Sequence, residues 1–174
     1  MPNKMRITPC LWFDSQGEEA ARYYVGIFKN SRITEVGHYS EAGREQHGKP
    51  PGSVMIVAFE LDGQPFTALN GGPHFKFNEA VSLQISCRDQ AEVDYYWEKL
   101  TAGGDPEAQV CGWLKDKFGL SWQVVPDVTI KLIGDQKSEA SKRAMTEMMK
   151  QKKPDIAAVQ RAYDGGEEKK RRSA

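Results

Sequence analysis

The same order of apolar and polar segments occurs twice in the first 126 residues, and this repetition constrains the fold more than any other feature. Ile7-Thr8-Pro9-Cys10-Leu11-Trp12-Phe13 leads through Asp14 into an amphipathic run, Glu18 to Phe28, which carries the pair Tyr23-Tyr24. Ala80-Val81-Ser82-Leu83-Gln84-Ile85-Ser86 leads through Asp89 into Gln90 to Leu100, which carries Tyr95-Tyr96. The aromatic pairs lie 72 residues apart, and Phe28 or Leu100 follows each four residues on. A tight turn closes each half: Asp62-Gly63 before Gln64 to Leu69, and Phe118-Gly119 before Leu120 to Val125. A repeated supersecondary unit buries its apolar face against its copy, so the pattern predicts one pseudo-symmetric domain with a cavity between or within its halves.

Each copy reads as βαβββ. The first strand spans Ile7 to Phe13, and the helix after it places Ala20, Tyr23, Tyr24, Ile27 and Phe28 on one face. Ser31 to Tyr39 is extended, and the glycine- and proline-rich segment Ser40 to Ser53 reads as an exposed loop. Val54 to Leu61 is a near-continuous apolar strand, and Asp62-Gly63 is a hairpin signal into Pro65 to Asn70. The second copy follows with a strand, a helix, the loop Gly103 to Pro106, and strands expected at Ala108–Cys111, Trp113–Asp116 and Leu120–Val125. The expected organisation is a domain over 6–126 (6–72 and 73–126), a helical extension over 127–164 and a disordered charged tail over 165–174. In the extension Ser138 to Lys152 carries a stripe of Ala140, Ala144, Met145, Met148 and Met149, which reads as packing. After it Asp155 is placed to cap a helix bearing Ile156, Val159 and Tyr163 on one face.

The 24 basic and 24 acidic residues balance to a formal charge of zero, which argues against a nucleic-acid partner. No run approaches about 18 apolar residues, so no membrane span is expected, and a cytoplasmic protein is. Three cysteines, Cys10, Cys87 and Cys111, lack motif spacing and read as reduced thiols.

Three stretches carry a family likeness: Ile7 to Asp14 with Glu18-Glu19-Ala20-Ala21, then Thr67-Ala68-Leu69-Asn70-Gly71-Gly72-Pro73, then Cys111-Gly112-Trp113-Leu114-Lys115-Asp116-Lys117-Phe118-Gly119-Leu120-Ser121-Trp122-Gln123. With the paired βαβββ order, the chain resembles the vicinal oxygen chelate superfamily (glyoxalase and bleomycin resistance), and in it the PhnB-like branch often labelled 3-demethylubiquinone-9 3-methyltransferase. The resemblance implies an α+β fold of paired repeats in a curved mixed sheet, and members that pair into homodimers. It also implies a divalent metal at four strand positions, which carry over as Thr8, Thr67, Ala80 and Gln123. Only Gln123 offers a ligating atom, so no metal is expected there. His38, His47 and His74 are too scattered to replace it.

Strand alternation then assigns the hollow of the sheet. Thr8, Cys10 and Trp12 face it from the first strand, Thr67 and Leu69 from the fourth. Ala80, Ser82, Gln84 and Ser86 face it from the fifth, and Ser121, Gln123 and Val125 from the last. The lining is hydroxyls, amides, a thiol and an indole, which suits a neutral or amphiphilic small molecule and offers no acid–base pair. Cys10 has no base nearby in sequence and reads as a small buried hydrophobe; Trp113 and Trp122 read as core or dimer anchors, Asp116 and Lys117 as turn residues. The turn Phe13 to Gly17 lacks the glycine-rich fingerprint of the doubly wound methyltransferases. The expected function is therefore small-molecule binding without a cofactor. The alternatives are an enzyme on a small metabolite, whether methyltransferase, lyase or dioxygenase, and a binder that sequesters an antibiotic.

Overall fold

The computed structural model describes residues 6–135 and 137–165, so the expected disordered tail lies, Gly165 apart, outside the described residues. The chain is α+β and forms two compact units, with the boundary after Phe77.

The first unit contains β1 (Cys10–Phe13), α1 (Gly17–Ile27), β2 (Arg32–His38), a single-turn α2 (Arg44–His47), β3 (Val54–Leu61) and β4 (Gln64–Asn70). Its sheet runs β1-β4-β3-β2, with β1 parallel to β4 and the other pairs antiparallel. Period-two burial sets the layers: Leu11, Phe13, Val57, Phe59, Leu61, Phe66 and Ala68 are buried under α1, which contributes Ala20, Ala21, Tyr24 and Ile27. The Tyr24 ring stacks on Phe59 at 6.4 Å, and Phe59 on Phe66 at 5.5 Å. Each such ring contributes roughly 1.5–3 kcal/mol by leaving water. Asp62 and Gly63 both have positive φ (47° and 78°), as the two central residues of a type I′ hairpin require. The start of α1 is closed from outside the helix, where Gly17 N donates to Asn70 Oδ1 at 2.7 Å. The segment read as an exposed loop is partly folded back, with Gly52 N on Tyr39 O at 2.8 Å and Tyr39 N on Ser53 O at 2.9 Å.

The second unit contains β5 (Leu83–Cys87), α3 (Gln90–Thr101), a 3-10 turn (Pro106–Ala108), β6 (Trp113–Lys115), β7 (Ser121–Pro126), α4 (Asp127–Ile133), α5 (Glu139–Met148) and α6 (Ile156–Tyr163). Its sheet runs β5-β7-β6, and β5 pairs with β7 in parallel as β1 does with β4. Val93, Trp97 and Leu100 of α3 are buried, as are Ile85, Trp122 and Val124 of the sheet beneath. Asp89 caps α3 by accepting from Glu92 N at 2.9 Å.

The strand expected at Ala108–Cys111 does not form. Pro106 starts a 3-10 turn, and only Val110 pairs, with Trp113, across Cys111 and Gly112. Those two residues have φ of 49° and 83°, incompatible with extended backbone. Their amides leave the sheet altogether, Cys111 N donating to Gln151 O at 2.8 Å and Gly112 N to Lys152 O at 2.9 Å. These bonds tie the helical extension to the sheet edge. Gln90 adds a side-chain link to the segment before α6, with Nε2 on Pro154 O at 3.0 Å and Oε1 accepting from Ile156 N at 3.0 Å. Among the described residues no helix is long and apolar enough to cross a membrane.

Candidate functional site

The parallel register of β5 and β7 sets Gln84 beside Gln123. Gln84 Nε2 donates to Gln123 Oε1 at 3.2 Å, and Gln123 Nε2 donates to Ser82 Oγ at 2.7 Å. Three of the residues assigned to the hollow are thus joined in one hydrogen-bonded chain on the sheet face opposite α3. Ser121 lies on the same face, 1 % exposed, and its Oγ has no partner among the described residues. A groove of about 430 Å³ extends from Gln84 and Gln123 over Val125 and under the helical extension, whose Thr129, Ile130 and Met148 form the opposite wall.

Ala80 is a correction. It stands in an exposed turn before β5, three residues short of the strand, and does not line the sheet face. Comparison of registers gives the reason. Cys10 opposes Thr67 in the first unit and Gln84 opposes Gln123 in the second. With Thr67 matched to Gln123, the position equivalent to Thr8 is Ser82 rather than Ala80.

In the first unit Cys10 and Trp12 face Thr67 and Leu69 across the β1–β4 pair. Thr8 precedes β1 and is exposed. The Trp12 indole is committed, since Nε1 donates to Gly72 O at 2.8 Å and the ring meets Phe75 edge-on at 4.9 Å. Gly71 passes so close that a Cβ would come within 2.1 Å of the Trp12 ring. Cys10 is an exposed free thiol, not the buried hydrophobe expected, and desolvation raises its pKa above the ordinary thiol value. It is held as the thiol, a poor nucleophile at neutral pH.

A feature of the first unit that the sequence reading missed is a polar recess of about 370 Å³ among Asp14, Glu18, Tyr39 and Lys49. Tyr39 Oη donates to Asn70 O at 2.8 Å, and Lys49 Nζ lies 3.8 Å from Asp14 Oδ1. Lys49, Pro50 and Ser53 reach it from the segment read as a loop, whose composition announces exposure and not the folding back onto the β1–α1 turn.

The donor set does not fit a divalent metal. With Ser82 in place of Ala80, the positions in the first unit are Thr8 and Thr67 and those in the second Ser82 and Gln123; none supplies an imidazole or carboxylate, and one amide oxygen does not hold a transition ion. Among the described residues no three His, Cys, Asp or Glu side chains gather as a possible metal group. The start of α1 is equally unsuited to a nucleotide-type methyl donor, because Asn70 already occupies the Gly17 amide.

The model of the 3-demethylubiquinone-9 3-methyltransferase family matches residues 5–125. The chain belongs to this family. It lies within the vicinal oxygen chelate superfamily, and the fold is of the glyoxalase/bleomycin resistance-like class. A Bacillus cereus PhnB protein, itself named for 3-demethylubiquinone-9 3-methyltransferase, is 32% identical with a TM-score of 0.59; the match covers 70% of this chain and 99% of that one. Protein PA1353 from Pseudomonas aeruginosa is 17% identical with a TM-score of 0.53, covering 71% and 98%. The fosfomycin resistance protein FosX from Mesorhizobium loti is 13% identical with a TM-score of 0.48, covering 71% and 91%. No curated protein matches. The 3-demethylubiquinone-9 3-methyltransferase family model ends at residue 125, so α4, α5 and α6 lie beyond it.

Proposed function

We propose that this family member binds a small molecule, without the superfamily's metal, and that the Ser82–Gln123–Gln84 chain on the β5–β7 face recognises its polar group. The observation that carries this reading is the hydrogen-bonded amide pair at the mouth of a groove. In this arrangement Gln123 Nε2 donates to the Ser82 hydroxyl, and Gln84 Oε1 is left as an acceptor with no protein partner among the described residues. Thr8, Cys10, Trp12, Thr67 and Leu69 form the corresponding surface of the first unit in this proposal, and catalysis is no part of it.

Native mass spectrometry of freshly purified protein tests it. The expected spectrum shows a copurified ligand and no stoichiometric metal, with the ligand lost in Gln123→Leu. Near-stoichiometric zinc, nickel, iron or manganese that disappears on Gln123→Ala would overturn it. The family name and that of the Bacillus cereus relative favour methyl transfer as the second reading. Consumption of S-adenosylmethionine on adding a phenolic acceptor would establish that instead. The proposal also places the protein in the cytoplasm as a homodimer, supported by Phe75 and Val81, which are 65% and 69% exposed in the single chain.

A further inference from the structure

The groove of the second unit has two chemically different parts. One end is amide, from Gln84 and Gln123; the rest is mostly apolar, with Trp113 and Val125 below and Ile133, Met148 and Val159 above, and the further amide of Gln151 is held by the Asp155 backbone. Among the described residues no Asp, Glu, Lys, Arg or His lines it. Its volume of about 430 Å³ falls in the roughly 300–1,000 Å³ range of small-molecule sites. Thr129 also lines it, only 3% exposed, and its Oγ1 has no hydrogen-bond partner among the described residues. A buried hydroxyl without a protein partner is rare in a finished interior, and a water or a bound molecule ordinarily supplies one. The apolar wall comes from α4, α5 and α6, which the family model does not include.

We propose that this groove selects a neutral amphiphile, with an apolar body held between sheet and helical extension and one uncharged hydroxyl or amide head at Gln84, Gln123 and Thr129. The amide end is exposed at Gln84, so selection against charge falls to the buried Thr129, where a carboxylate or ammonium would have to leave water without a counter-charge in the lining. Gln84 Oε1 accepts from the head, and the unpartnered Thr129 hydroxyl is the buried donor left for it. The proposal rests on the small-molecule reading above and adds the ligand's chemical class and the role of the extension.

The test uses the full chain and N-phenyl-1-naphthylamine, a neutral probe whose emission rises in apolar surroundings, displaced by 1-hexanol, 1-decanol, decanoate or decylamine. The expected result is one probe per chain, with 1-decanol displacing it at least tenfold more effectively than the other three. Ile130→Lys and Met149→Glu change side chains already 51% and 60% exposed, so both variants fold, as circular dichroism will check, and each weakens uptake at least tenfold. Thr129→Val leaves the probe bound but reduces the preference for decanol over hexanol's shorter body less than it reduces decanol's own affinity. Absence of uptake, uptake indifferent to Ile130→Lys and Met149→Glu, or equal displacement by decanoate would overturn the proposal. If the copurified ligand is nevertheless lost in Gln123→Leu, amide recognition survives and only the amphiphile class fails. If the two rim variants instead dissociate a dimer in sedimentation without affecting the probe, the groove mouth is an interface between copies and the proposal falls.

Discussion

The Asp116 carboxylate is 2% exposed, and its donors include two backbone amides and an indole. Oδ1 accepts from Phe118 N at 2.8 Å and Leu120 N at 3.1 Å, and Oδ2 from the Trp122 indole at 2.8 Å. The turn position was legible in the sequence; the inward fold of the side chain was not, because a carboxylate beside Gly119 ordinarily faces water. Asp116→Ala strands these donors and is expected to cost about 3 kcal/mol, read as a lower urea midpoint. Asp116→Asn keeps an acceptor for the two amides and costs less. Cys87 carries a different prediction. Burial, with Glu92 and then Asp127 adding negative charge, pushes its thiol up from 9.0 to about 12. Below pH 9 the thiol is protonated in folded and unfolded chains alike, and its contribution is fully present. Between pH 9 and 12 only the unfolded chain ionises, so stability falls by about 1.4 kcal/mol per pH unit. Cys87→Ala should flatten that part of the stability–pH curve, and an unchanged slope would assign the alkaline loss to other groups.

Among elements, those with strong periodicity were legible: α1, β3, β4 and α3 lie within a residue or so of the positions their patterns imply. The repeat itself holds as a parallel pairing of the first and last strand of each unit, yet the correspondence of tyrosine pairs slips by one residue. Tyr24 is fully buried in α1, whereas Tyr95 is 40% exposed and Trp97 takes the buried place in α3. Identity of residue type misled there, and burial phase corrects it. Helix α4 was not legible because Val128, Thr129, Ile130 and Ile133 are β-branched, and packing against α5, α6 and β7 holds the segment helical. Of the candidate site, strand alternation found Ser82, Gln84 and Gln123, but no local pattern reports that a later helix covers them. The cap on α6 was readable, and Asp155 accepts from Ala158 N at 2.8 Å. Asp155→Ala is expected to remove about 1 kcal/mol, with faster hydrogen exchange confined to the first turn of α6.

At the scale of the whole molecule, sedimentation equilibrium at micromolar concentration decides the proposed homodimer, and a single species at 19.5 kDa would rule it out. The helical extension leaves a further trace. It is joined to the sheet edge through main-chain groups, Cys111 N with Gln151 O and Gly112 N with Lys152 O. A Cβ on Gly112 would lie 2.7 Å from Val124 O, at a φ of 83°. Genetic drift therefore acts unevenly on the two sides of this joint. Lys152, exposed and contributing a carbonyl, is free to become almost any residue, while Gly112 is not. Saturation mutagenesis with selection for folded protein should return broad substitution at 152 and glycine alone at 112, so that descendants of this chain can lose all likeness in the extension and still keep it docked.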